Sequence, residues 1–126
     1  MEYRVCRNNP APYNDLNGKI SLLGLGTMRL PLRDAADQTS IDEEKAQEIF
    51  DYAYAHGVNY FDTAYPYHGG MSEKFCGKAL AKYPRASYHL ASKLPGWLLK
   101  CDEDVPRIFN EQLANCRTDY FDFYLA

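Results

Sequence analysis

Residues 58–70 read VNYFDTAYPYHGG. An apolar, β-branched and aromatic run ends on Asp62, Tyr67 follows five residues later, and then come His68 and a Gly-Gly pair. An acid at the end of such a run is either a turn cap or the corner of a functional site. The choice depends on the kind of sheet that VNYF enters.

The flanking segments predict that sheet. Upstream, Asp42–His56 has Ala46, Ile49, Phe50 and Ala53 at i, i+3, i+4 and i+7, the spacing of one apolar helix face. Ser40 or Asp42 supplies its N-cap, SIDE matches the capping-box spacing through Glu43, and Gly57 is its stop. Before it, ISLLGLGTMRL is too short for a buried helix and predicts a buried strand ending near Thr27. Downstream, Ser72 is the expected cap of a second helix with Phe75, Cys76, Ala79, Leu80 and Tyr83 on its apolar face, ended by Pro84.

SYHLAS predicts a third strand, with Lys93 just past it, and LPGW a loop. Asp102 or Asp104 begins a third helix with Val105, Ile108, Phe109, Leu113 and Cys116 on one side. Pro106 is tolerated there because it falls in the first turn. TDYFDFYLA starts a fourth strand. At the N-terminal end, Pro10, Pro12, Asn17 and Gly18 mark turns between two short stretches, so residues 2–20 predict a hairpin.

Continuous apolar strands alternating with amphipathic helices belong to parallel α/β folds. LGLGTM lacks the G-x-G-x-x-G fingerprint of dinucleotide-binding sheets. Doubly wound and barrel architectures remain, and both place function at the carboxyl ends of strands. Asp62 and Lys93 each lie at such an end, and Tyr67 lies in the loop leaving the first.

A phenol ordinarily holds its proton at neutral pH, and a neighbouring ammonium stabilises the phenolate and eases proton donation. A carboxylate beside the ammonium keeps it charged and directed. None of the three stores electrons, so a reduction needs a hydride carrier. The residue types alone leave the plainer roles open: Asp62 as a cap, Tyr67 as packing, Lys93 as a solvated surface group.

Composition narrows the rest. The chain has 126 residues, 46% of them hydrophobic and 25% charged, with 11 Tyr, as expected for one globular domain. A net charge of -3 without a basic block argues against nucleic acid and anionic membranes as partners. No signal peptide and no apolar run of membrane-spanning length are apparent, which points to the cytoplasm. Cys6, Cys76, Cys101 and Cys116 form no CxxC pair and read as reduced, buried structural thiols, not metal ligands.

Four ordered blocks then resemble the aldo-keto reductase family: LGLGTMRLP, GVNYFDTAYPYHGGMSEKFCGKAL, ASKLP and TDYFDFYLA. The signature is Asp-Thr-Ala with a Tyr five positions after the Asp, a Glu shortly downstream, and Gly-x-Ala-Leu closing the next helix. The resemblance covers nearly all of the chain after residue 18. It implies an eight-stranded TIM barrel of about 250 residues, so that this α/β chain holds the N-terminal half: four barrel strands and three helices (residues 21–126) behind the short hairpin (residues 1–20).

It further implies reduction of a small aldehyde or ketone by NADPH or NADH. Tyr67 would be the proton donor, Lys93 the residue lowering its pKa, and Asp62 the partner of Lys93 near the nicotinamide ribose. Gly26, Thr27 and Met28 would lie against the nicotinamide end of the cofactor. The family's catalytic histidine follows a Tyr-Leu-x pattern, here Tyr124, Leu125 and Ala126, where the sequence stops. The chain by itself is therefore expected to be inactive. His68 and His89 do not match that position and are expected on the surface or in loops.

YPYHGG, SKLPGWL and TDYFDFYL are also similar to a branch whose members often append an iron–sulfur region. The closely spaced cysteines a cluster needs are absent, so a cluster is expected only in a longer parent. Two other readings stay open: a non-catalytic half-barrel that self-associates through its strand edges or acts as a binding module, and a metal-dependent hydrolase with His68 near Asp62.

Overall fold

The computed structural model describes residues 1–5 and 19–126. Among them the chain runs through β1 (Tyr3–Val5), β2 (Lys19–Ser21), β3 (Leu25–Gly26), α1 (Glu43–Ala55), β4 (Tyr60–Asp62), α2 (Met71–Leu80), β5 (His89–Lys93), α3 (Asp104–Asn115) and β6 (Phe123–Leu125). β3, β4, β5 and β6 form one parallel sheet in chain order, with α1, α2 and α3 as successive crossovers. This is the first half of a (β/α)8 barrel, with β1 and β2 as an antiparallel hairpin in front. The expected turn residues Pro10, Pro12, Asn17 and Gly18, and Cys6, lie outside the described residues.

The stretch expected as one buried strand divides in two. Ile20 and Ser21 belong to the hairpin, only Leu25 and Gly26 to the barrel, and Leu22 and Leu23 between them are exposed. The division has a polar cause in Asn59, just before β4. Its Oδ1 accepts from the Ser21 N–H at 2.8 Å, its own N–H donates to Ser21 Oγ at 3.1 Å, and its Nδ2 donates to Lys19 O at 3.2 Å. The hairpin is thus fastened to the amino end of the sheet before the first barrel strand begins.

The helices form where their periodicity places them, but their caps differ. Asp42 caps α1 by accepting from the Lys45 N–H at 3.2 Å. The Ser40 hydroxyl instead serves its own loop, donating to Asp34 O and Asp37 O, so the capping box is not made. Ser72 does not cap α2; it lies inside the helix behind Gly70, whose φ of 91° is the left-handed turn that glycine adopts readily. Asp104 opens α3, and its carboxylate accepts from the Lys100 and Cys101 N–H groups.

The core between sheet and helices centres on Phe50, Phe61 and Phe75. Phe50 stacks on Phe61 at 5.3 Å between centroids and meets Phe75 edge-on at 5.4 Å. Each buried Phe contributes about 1.5–3 kcal/mol of transfer free energy. Ile49 and Val105, expected on the buried faces, are exposed. α1 is inserted along the narrower stripe of Ala46 and Phe50, and α3 along Ile108, Gln112 and Cys116. α2 and α3 approach closely at Gly77, where a Cβ would lie 2.6 Å from Asn115 O and 2.9 Å from the Cys116 carbonyl carbon.

His89 is fully buried in β5, which corrects its expected surface or loop placement, whereas His68 lies in the loop before α2 but is buried there. His89 Nε2 donates to Lys19 O at 2.9 Å, and its Nδ1 lies 3.6 Å from Asp122 Oδ1. Asp122 Oδ2 accepts from Arg85 Nη2 at 2.8 Å and from the Leu90 N–H at 2.8 Å. Burial alone pushes the Asp122 carboxyl up. The hydrogen bonds from His89 and the Leu90 N–H, with the Arg85 guanidinium, outweigh burial and hold the group below the usual carboxylate range.

A carboxyl depressed on folding stabilises the native state above its unfolded value of about 3.9, and that contribution fades as pH falls through the folded value. Urea midpoints measured from about pH 6 down to about pH 3 are expected to fall more steeply for the native sequence than for Asp122→Asn. Parallel declines would count against Asp122 as a source of acid sensitivity.

Candidate active site

β4 ends on Asp62 and β5 ends on Lys93, so both side chains stand at the carboxyl rim of the sheet. Asp62 pairs in register with Ala91, and Lys93 is one pleat further along β5 on the same face. Lys93 Nζ donates to Asp62 Oδ2 at 2.7 Å and to Thr63 O at 2.8 Å. The same ammonium sits 4.9 Å from the centroid of the Tyr67 ring. The three residues singled out in the sequence are therefore brought together at one rim, around one lysine nitrogen.

Tyr67 is half-buried and opens the turn Tyr67–Gly70 that runs into α2. His68 in that turn has φ 54° and ψ 41°, a left-handed conformation that is uncommon for a residue with a Cβ. Its ring holds the turn in place. Nδ1 donates to Gln38 O at 2.8 Å and Nε2 accepts from the Leu30 N–H at 3.1 Å, so the imidazole bolts the Tyr67 turn to the loop after β3. Both nitrogens are taken by backbone groups. The sequence signal for this role was the Gly-Gly that follows, since a left-handed turn there needs an anchor.

Behind the rim lies a buried layer of hydroxyls. Thr27 Oγ1 donates to Asp62 O at 2.9 Å and lies 2.7 Å from Ser72 Oγ, which lies 2.9 Å from Thr63 Oγ1. The Thr27 side chain is fully buried toward α2 and holds the Asp62 backbone from behind, within the turn Gly26–Met28 that is expected against a cofactor. Gly26 and Met28 are both exposed, and a Cβ at Gly26 would meet nothing within 4 Å. The rim beside Asp62 thus offers open backbone and a flexible thioether to a flat ring. Asp62 binds Lys93 through Oδ2, which leaves the chemistry of Oδ1 suited to a ribose hydroxyl. Gly26, Met28 and Asp62 are the groups at this rim that are open to hold a cofactor.

A second polar cluster sits just beneath. Glu73, Ser92 and Gln112 are fully buried and hydrogen-bonded to one another. Their signal in the sequence was Gln112 on the Ile108–Cys116 stripe of α3, where the period demands an apolar residue.

Among the described residues no group of three or more His, Cys, Asp or Glu side chains is arranged to hold a metal ion. With both His68 nitrogens on the backbone, the metal-hydrolase reading loses the histidine it relied on. Cys76 and Cys116 are buried as expected, but Cys101 is exposed because it sits in the loop before α3. Burial pushes the Cys76 thiol up to about 12, which makes it inert at neutral pH.

The family model of the Aldo/keto reductase family matches residues 22–126, and the chain belongs to that family. It is 34% identical over 110 residues to L-galactose dehydrogenase of Arabidopsis thaliana, covering 82% of this chain and 33% of that protein. It is 30% identical over 132 residues to Protein tas of Escherichia coli, covering 90% of this chain and 36% of that protein.

Among solved structures it resembles the holo form of aldo-keto reductase AKR11C1 from Bacillus halodurans, with a TM-score of 0.70 and 30% identity over 99% of this chain and 40% of that one. An aldo-keto reductase from Klebsiella pneumoniae in complex with NADPH superposes with a TM-score of 0.70 and 25% identity over 98% of this chain and 39% of that one. The chain spans roughly a third of the two curated relatives' length and two fifths of the two structures'.

The His68 anchor is open to direct test. His68→Leu leaves the buried Leu30 N–H without its partner, at about 1–3 kcal/mol for that unsatisfied group, and removes the part-buried bond to the carbonyl of the exposed Gln38. Urea denaturation of the variant is expected to show a loss of that order. A change below about 0.5 kcal/mol would mean the ring fixes nothing.

Proposed function

We propose that Asp62, Tyr67 and Lys93 form the proton-delivery part of a carbonyl reductase site that uses NADPH or NADH. The observation that carries this reading is the position of Lys93 Nζ, 2.7 Å from Asp62 Oδ2 and 4.9 Å from the Tyr67 ring centroid. When bound, the reduced dinucleotide would supply the hydride that these side chains cannot store.

Tyr67 gives its hydroxyl proton to the oxygen of a small aldehyde or ketone as that oxygen gains charge. The Lys93 ammonium stabilises the phenolate left behind, and Asp62 holds the ammonium in place. Gly26, Met28 and Asp62 face the nicotinamide end, with Thr27 supporting Asp62 from behind. These 126 residues span roughly a third of the length of the two curated relatives named above. On their own they are expected to leave NADPH unoxidised in the presence of a simple aldehyde.

A second reading draws on the sheet order: among the described residues β3 and β6 are edge strands, and such edges recruit further strands. Sedimentation distinguishes the two. A sharp dimer with cooperative unfolding favours a self-associating module, and a monomer or heterogeneous aggregate favours a barrel half awaiting its other half.

For the catalytic reading, the test is made in the chain joined to the part of the E. coli relative that follows the matched region, with aldehyde reduction by the unsubstituted fusion as the reference. In it Tyr67→Phe is expected to lower kcat for aldehyde reduction at least about 10²-fold, the scale of general acid catalysis. Undiminished turnover by that variant would remove Tyr67 from the role.

A further inference from the structure

We infer that Glu73 and Gln112 are positioning residues for Lys93; the catalytic meaning of that position rests on the proton-donor reading above. Glu73 lies in the first turn of α2, the helix into which the Tyr67 turn runs. Its side chain is fully buried, and among the described residues no cation forms an ion pair with it. A buried carboxylate in that state is costly unless hydrogen-bonded.

The donors are supplied by the end of β5 and by α3. Ser92 Oγ donates to Glu73 Oε1 at 2.7 Å, Gln112 Nε2 to the same oxygen at 2.8 Å, and Asn115 Nδ2 to Oε2 at 3.1 Å.

Gln112 carries the constraint to Lys93. Its Nε2 also donates to Lys93 O at 2.9 Å and lies 3.1 Å from Ser92 Oγ, while its Oε1 accepts from the Tyr124 hydroxyl at 2.6 Å. The last two residues of β5 are therefore held from the helix side, Ser92 by its hydroxyl and Lys93 by its carbonyl. The Lys93 side chain leaves on the opposite face, toward Asp62 and Tyr67. One carboxylate thus ties the helix that follows the Tyr67 turn to the strand that presents the ammonium.

A core built for stability alone has a cheaper solution, since apolar replacements of buried polar networks are often neutral or stabilising. What an apolar core lacks is direction: it cannot fix a carbonyl, and so a side-chain exit vector, to the fraction of an ångström that a proton-transfer site needs.

The test uses the 126-residue chain labelled with 15N at lysine side chains, the Lys93 ammonium resonance being identified by its loss in Lys93→Arg. An ammonium held by Asp62 and Thr63 gives a sharp, slowly exchanging signal. Glu73→Gln and Gln112→Leu are each expected to abolish it while the urea transition stays cooperative. Asn115→Ala, which touches Glu73 without reaching β5, is expected to leave it intact.

Retention of the signal in folded Glu73→Gln and Gln112→Leu would overturn the inference, and so would its loss in Asn115→Ala, because general loosening would then explain everything. Should Glu73→Gln not fold, Ser92→Ala takes its place: a weakened signal supports the inference and an unchanged one overturns it. Failure of the proton-donor reading shows elsewhere, as full turnover by Tyr67→Phe in the completed barrel, and leaves the Lys93 signal as it was.

Discussion

Because Asp62 is paired with Ala91 in parallel register, the residue two further along β5 rises from the same face one pleat higher, and that residue is Lys93. A slip of one residue would turn Lys93 into the helix layer and bring Ser92 or Leu94 to the rim. The register is held from both sides. Leu90 packs in the core beneath the sheet, and the Leu90 N–H is bound by Asp122 at the other end of the strand. The position of the ammonium is thus a consequence of strand pairing before any side chain at the rim is considered.

The Asp62–Lys93 pair contributes little to stability. Its side chains are 29% and 30% exposed, and pairs open to water to that degree contribute about 0–1 kcal/mol. Its importance is directional: two acceptors, a carboxylate and the Thr63 carbonyl, fix an otherwise flexible ammonium beside an aromatic ring. The energy that holds the rim comes from elsewhere, from the Phe50–Phe61–Phe75 cluster and from buried polar groups that are all hydrogen-bonded among the described residues.

Much of this was legible in the residues because it is local. Helix periodicity and strand-end position depend on near neighbours in sequence, and they suffice to place Asp62, Tyr67 and Lys93 on one rim. The misread features are those decided by distant partners. Ser40 and Ser72 look like caps, yet one closes its own loop and the other joins the hydroxyls of Thr27 and Thr63. His68 and His89 look like polar loop residues, yet their ring nitrogens meet backbone groups 30 to 70 residues away in sequence. Ile49 and Val105 fall on the apolar period but outside the narrow stripe that the curved sheet accepts.

The hairpin clasp also divides the molecule into two mechanical zones. Asn59, His89, Arg85 and Asp122 knot the amino ends of the strands to the hairpin and to each other, with Arg85 sandwiched against Tyr120 and Tyr88 at 3.9 and 4.9 Å. The opposite pole carries the rim loops, of which the Tyr67 turn is tied down separately through the His68 ring. Substitutions in rim positions that make no such bond change what the rim meets while the amino ends of the strands stay knotted.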